Sequence, residues 1–183
     1  MPFAGPHPPA PLDGCIVLVV DATTGVGRIV TARLCAAGAA VAVVGAGHPG
    51  RGDDAATKAA FLCKELADID LVALPYRMDI DDLDMVRELP AQIACDLGPV
   101  SASVVVIPSG SGTDRLAERF RAASRVIAEA LPEGARHIAL ASDTAAGPGQ
   151  DEELARRVVE QLLSGADCPP DALPSAGPPV TAH

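Results

Sequence analysis

Five short apolar runs, each followed by a stretch with helical spacing, constrain this chain more than any other feature of its sequence. The runs are Ile16–Val20, Ala40–Val44, Leu71–Tyr76, Val104–Ile107 and His137–Ala141. A strand that is apolar along most of its length, instead of at alternate positions, belongs in a parallel sheet covered on both faces. The intervening segments predict helices over Gly25–Ala37, Asp53–Leu66, Asp81–Leu97, Asp114–Leu131 and Asp151–Leu163. Gly38 and Gly98 stop the first and third, and Asp53 or Asp54 caps the second. Pro90 lies inside the third helix and is expected to kink or split it. Strand–helix units joined by right-handed crossovers give a doubly wound α/β sheet of about five strands in one domain.

The chain is long enough for that single core: 183 residues, 49% of them hydrophobic. With no Trp, one Tyr and three Phe, the core must be built from Ala, Val, Leu and Ile. Both ends read as proline-rich, disordered tails, 1–12 and 166–183, around a folded unit over 13–165. Met1–Leu12 has no positively charged apolar stretch and is read as neither a signal peptide nor a membrane span, and the acidic charge balance is read as that of a cytoplasmic protein. A net charge of −10 speaks against binding nucleic acid or an anionic membrane, since both need a basic surface. Cys15, Cys35, Cys63, Cys95 and Cys168 are widely spaced, with no C-x-x-C pair. That spacing excludes a clustered metal site and is read as buried free thiols.

The first chemical signal is the turn after the first strand. Leu12-Asp13-Gly14 leads into Ile16–Val20, then Asp21-Ala22-Thr23-Thr24-Gly25-Val26-Gly27. This string resembles the opening of the short-chain dehydrogenases/reductases, whose first turn reads T-G-x-x-x-G-x-G. Gly25 and Gly27 match its last two glycines, whereas Asp21 stands at the first glycine and Val20 at the threonine. The resemblance runs over about residues 12–147. It takes in Gly38-Ala39-Ala40-Val41, Asp79-Ile80 after the third strand and Gly98-Pro99-Val100 before the fourth. It implies a Rossmann-type domain that binds NAD or NADP through Ala22, Thr23, Thr24, Gly25, Val26 and Gly27, with Asp79 and Ile80 around the adenine.

In such a turn, glycines let the backbone approach a pyrophosphate whose charge sits at the N-terminus of the first helix. Asp21 opposes this. A carboxylate ~5 Å from a phosphate costs roughly 3 kcal/mol at an effective dielectric of 20, before salt screening. Asp21 is therefore expected to weaken dinucleotide binding, as an internal anion at the helix start. The second strand ends in Val44-Gly45-Ala46-Gly47-His48, without the acid that holds the ribose hydroxyls in NAD enzymes. Arg51, a few residues on, leans the reading towards NADP. Val19-Val20-Asp21 faintly echoes an S-adenosylmethionine turn, but the denser glycine run and the closing acid of that motif are missing.

Hydride transfer to a carbonyl demands a proton donor held within hydrogen-bond reach. The resemblance implies a Tyr as acid, a Lys to lower its pKa, a Ser to orient the carbonyl and an Asn to complete the relay. Only the serine finds a match, Ser142 at the end of the fifth strand. The chain has no Asn, its one tyrosine is Tyr76, and its two lysines, Lys58 and Lys64, fall in the second helix. The Tyr-x-x-x-Lys position reads Glu152 and Arg156. A solvated carboxylate with a pKa near ~4.3 is a poor acid for a ketone at neutral pH, and the two residues suit an exposed i,i+4 ion pair. The patch Ser109–Asp114 follows the fourth strand, where it can meet a phosphate or simply turn the chain into the next helix.

Three functions stay open at this point. One is a catalytically degenerate dinucleotide binder. Another is a divergent oxidoreductase using Ser142 with Glu152 as an unconventional acid. The third is a scaffold or homodimer, because in this family the fourth and fifth helices commonly build a shared interface. Leu116, Phe120, Ala123, Ile127 and Leu131 would supply its apolar stripe, unless that stripe faces the domain's own sheet. The family's later strands and substrate loops have no counterpart in 165–183, so a truncated remnant is also an expectation.

Overall fold

A computed structural model describes residues 10–23, 25–47, 55–110, 112–143 and 147–164. The two proline-rich tails fall almost wholly outside these residues, as do His48, Arg51, Asp53 and Asp54. Strands β1 (Ile16–Val20), β2 (Ala40–Gly47), β3 (Ala73–Asp79), β4 (Ala102–Ser109) and β5 (Arg136–Asp143) alternate with five helices. These are α1 (Gly25–Ala36), α2 (Ala55–Ala67), α3 (Leu83–Asp96), α4 (Asp114–Ala130) and α5 (Pro148–Leu163). Every strand pairing is parallel, in the order β3-β2-β1-β4-β5, so the sheet is the doubly wound one that the apolar runs predict.

Burial follows strand position. The central β1 and nearly all of β4 are buried on both faces, whereas the edge strands β3 and β5 are only partly covered. One apolar layer joins Val17, Val19, Val41, Val43, Val104 and Val106 to α1, α2 and α5. The other joins Leu18, Val20, Val44, Val105 and Ile107 to α3 and α4. Burial of this kind stabilises by about 25 cal/mol per Å² of apolar surface, which favours dense aliphatic packing where aromatics are few. No helix among the described residues is long and apolar enough to cross a membrane.

Several details differ from the expectations. Pro90 does not split α3, which runs unbroken from Leu83 to Asp96 with Pro90 on its buried side. Asp82 caps that helix, its side chain accepting from the Met85 N–H at 3.0 Å. α5 begins at Pro148, earlier than Asp151, because Gly147 supplies an extended cap and proline suits the first helical turn. Cys35 and Cys63 are buried free thiols as expected, held protonated by burial that pushes them up to about 12 and about 11. Cys95 is free but exposed, and Cys15 is disulfide-bonded, so the free-thiol expectation fails there.

The apolar stripe of α4 is core. Phe120, Ala123 and Ile127 are buried, and Leu116 and Leu131 pack against the same layer. α5 lies on α1, across the sheet from α4. The two helices expected to share one interface therefore sit on opposite faces.

Candidate functional site

In a sheet of this order the chain leaves β1 towards one side and β4 towards the other. A crevice therefore opens at their carboxyl ends, where such folds take ligands. β1 and β4 are neighbours there, with Val20 in register with Val105.

The β1–α1 turn is built by close backbone approach. A Cβ on Gly27 would lie 2.1 Å from the carbonyl oxygen of Asp21, so only glycine fits there. Gly25 has φ +49°, and Asp21 has φ +60°. The left-handed region is costly for most side chains but is visited by Asp and Asn. Asp21 thus holds a backbone conformation that favours glycine while adding a carboxylate. That carboxylate is half-buried, and its burial raises its pKa from 3.8 to about 6, against the opposing pull of Lys58 on α2. Ala22 and Val26 are buried, Thr23 is half-buried, and Thr24 lies outside the described residues.

A second carboxylate reaches the same turn. Asp151, in the first turn of α5, has its Oδ2 atom 3.6 Å from where a Cβ on Gly25 would stand. Its Oδ1 atom is buried with no hydrogen-bond partner. The turn thus joins a close backbone approach at Gly27 to two carboxylates, those of Asp21 and Asp151.

The adenine side is less committed. The Asp79 carboxylate accepts from the Asp81 N–H at 3.0 Å, closing its own turn. The Ile80 side chain, expected beside the adenine, is instead buried with α3 and α4. At the end of β2, Gly45, Ala46 and Gly47 offer no acid.

Beyond β4, the Thr113 hydroxyl donates to the Gly110 carbonyl at 2.8 Å and makes no side-chain cap on α4. That segment is a turn, with Ser111 outside the described residues. Ser142 is half-buried at the end of β5, in register with Pro108 of β4.

Glu152, the acid proposed to act with Ser142, has a partner of its own. Glu152 pairs with Arg33 of α1. Arg156 pairs with Glu153 at 2.8 Å and Glu160 at 2.6 Å, so the expected Glu152–Arg156 pair is replaced by other partners. Tyr76 sits on β3 and donates its hydroxyl to Asp96 at 3.0 Å; burial and that carboxylate both push the phenol upward. Tyr76 and Glu152 are thus each engaged by a partner other than Ser142.

A polar network went unnoticed in the sequence. His137 on β5 bridges Ser103 of β4 through Nδ1 (2.7 Å) and Ser124 of α4 through Nε2 (2.8 Å). Both serines are buried, and burial holds the imidazole below its usual pKa. Ser103 and His137 are the second residues of their strands, so the network lies at the end of the sheet away from the crevice. A hydroxyl inside the otherwise apolar run Ala102–Ile107 was the available signal, since a buried hydroxyl must find a partner. No group of three or more metal-ligating side chains occurs among the described residues.

No protein-family model matches the sequence, and no curated protein matches it. Among solved structures the chain is similar to a short-chain type dehydrogenase/reductase from Mycobacterium marinum. Identity there is 27%, over 65% of this chain and 48% of that one, with a TM-score of 0.53. It is similar to a citronellol catabolism dehydrogenase from Pseudomonas aeruginosa PAO1, at 20% identity over 85% and 68% of the two chains, with a TM-score of 0.58. A blue fluorescent protein from a metagenomic library, solved in complex with NADPH, matches at 22% identity. It aligns over 82% of this chain and 66% of its own, with a TM-score of 0.54. The chain thus spans about half to two thirds of the length of these proteins. Its structural neighbours are short-chain dehydrogenases/reductases, and the described residues carry their Rossmann-type fold.

Proposed function

We propose that this chain is a short-chain-dehydrogenase-like domain that binds a nicotinamide dinucleotide weakly and does not catalyse hydride transfer. The observation that carries the binding half is the β1–α1 turn. Gly27 packs on the Asp21 carbonyl and Asp21 adopts a glycine-like φ, so the backbone keeps a phosphate-binding shape despite the lost first glycine. Ala22, Thr23, Thr24, Gly25, Val26 and Gly27 would hold the pyrophosphate, and Asp79 and Ile80 the adenine. The lack of an acid at the end of β2 favours NADP over NAD.

The catalytic half of the reading rests on residue identity and placement. When bound, such a cofactor supplies a hydride, and its acceptor needs an acid beside it. Ser142 is a hydroxyl that can orient a carbonyl but cannot replace a tuned acid. Tyr76 is engaged with Asp96, and Glu152 is engaged with Arg33 of α1. Those engagements also count against a divergent oxidoreductase using Ser142 and Glu152. A scaffold reading through the α4 stripe loses its surface, because that stripe packs on the sheet.

The test is NADPH consumption by the purified chain with a panel of simple ketones and aldehydes. The proposal expects no turnover above buffer. A turnover abolished by Ser142→Ala would overturn it.

A further inference from the structure

The carboxylate of Asp151 has no role in the reading above, yet it occupies the most sensitive place in it. It comes from α5, which packs along α1 and is tied to it by the Glu152–Arg33 ion pair. This places the first turn of α5 over the start of α1, where the peptide N–H groups and the helix dipole favour an anion. Asp151 Oδ2 stands 3.6 Å from the Cβ position of Gly25, the residue whose lack of a side chain opens that place. Asp151 Oδ1 is closed off from solvent and accepts no hydrogen bond. An unsatisfied buried carboxylate oxygen is costly, so the side chain is held there by the packing of α5 and by the field at the helix start. Arg28 and Arg33, the cations of α1 nearest this helix–helix seam, are engaged by Glu65 and Glu152 and so do not neutralise it.

We infer that Asp151 is a built-in competitor for the pyrophosphate, an internal anion that α5 seats on the dinucleotide turn and that must be displaced before a dinucleotide binds. The inference rests on the dinucleotide reading and adds its regulation. The Asp151 carboxylate is the gate, while α5 itself stays seated in the core through Ala155, Val158 and Leu162. Asp21 weakens binding from within the turn at all times. Asp151 weakens it from a separate helix, through one side chain set against Gly25.

The test is a calorimetric titration with NADPH and with NADH of four full-length chains: the parent, Asp151→Ser, Asp151→Asn and Glu133→Gln. The last removes one surface charge far from the turn and controls for net charge. The gate predicts a Kd at least tenfold lower in Asp151→Ser than in the parent, with Glu133→Gln unchanged. Asp151→Asn keeps the side-chain volume, so tighter binding there assigns the block to charge and carries the test if the serine variant fails to fold. Equal affinity in the parent and both Asp151 variants overturns the gate and leaves the dinucleotide reading standing. No binding to any of the four overturns both.

Discussion

The carbonyl oxygen of Asp21 lies 2.1 Å from the position that a Cβ on Gly27 would occupy. Strand β1 and helix α1 are thus locked at a distance that only glycine permits. Gly27→Ala must push the Asp21–Ala22 backbone, on which Gly27 packs. Overpacking of this kind costs typically 1–3 kcal/mol, and here about 3 kcal/mol is expected because the clash is with backbone. Urea denaturation of the purified variant checks this. A loss under about 0.5 kcal/mol would mean that the turn is looser than described.

Asp21 carries a pH signature of its own. Its folded pKa, about 6, lies above the ordinary 3.8, so the folded state binds the extra proton between those values. The contribution is fully present below pH 3.8 and is lost as pH rises through about 6, leaving a half-buried charge at neutral pH. Asp21→Asn keeps a residue that tolerates φ +60° and removes the charge. It should stabilise the protein by about 1 kcal/mol at pH 8 and have little effect near pH 4, read by denaturation at the two pH values. Equal effects at both would contradict the assigned cause.

His137 has the opposite sign. Burial lowers its folded pKa, so stability is full above the usual 6.5 and falls as pH drops below it. His137→Ala leaves the buried hydroxyls of Ser103 and Ser124 without their shared partner, at an expected cost of about 2 kcal/mol at pH 8. The loss should shrink towards pH 5, where the parent itself is penalised. A variant as stable as the parent at pH 8 would show that water replaces the imidazole.

The sequence was most legible where periodicity and single residues decide the outcome. Ile16–Val20 is β1 to the residue, and the parallel pairing follows from the apolar character of β1, β2 and β4. Gly25 and Gly27 announce the turn, and the absence of Asn is read directly from composition. What stayed hidden depends on tertiary placement. The stripe Ala155, Val158 and Leu162 says that α5 is covered on one side, but not on which face of the sheet. The resemblance suggested a shared surface with α4, whereas the chain crosses to α1. The meeting of Asp151 with Gly25 follows from that crossing and has no local signal. Ser103, His137 and Ser124 come from three elements, and only the register of β4 on β5 brings the first two side by side.

The central claim is a dinucleotide turn whose backbone is intact and whose charge opposes the ligand. Its most direct test is a calorimetric titration of the parent and Asp21→Gly with NADPH under identical salt. Removing a like charge worth roughly 3 kcal/mol before screening should tighten binding at least tenfold. The account predicts weak binding by the parent and that gain in the glycine variant. An Asp21→Gly chain that binds no better than the parent would contradict it.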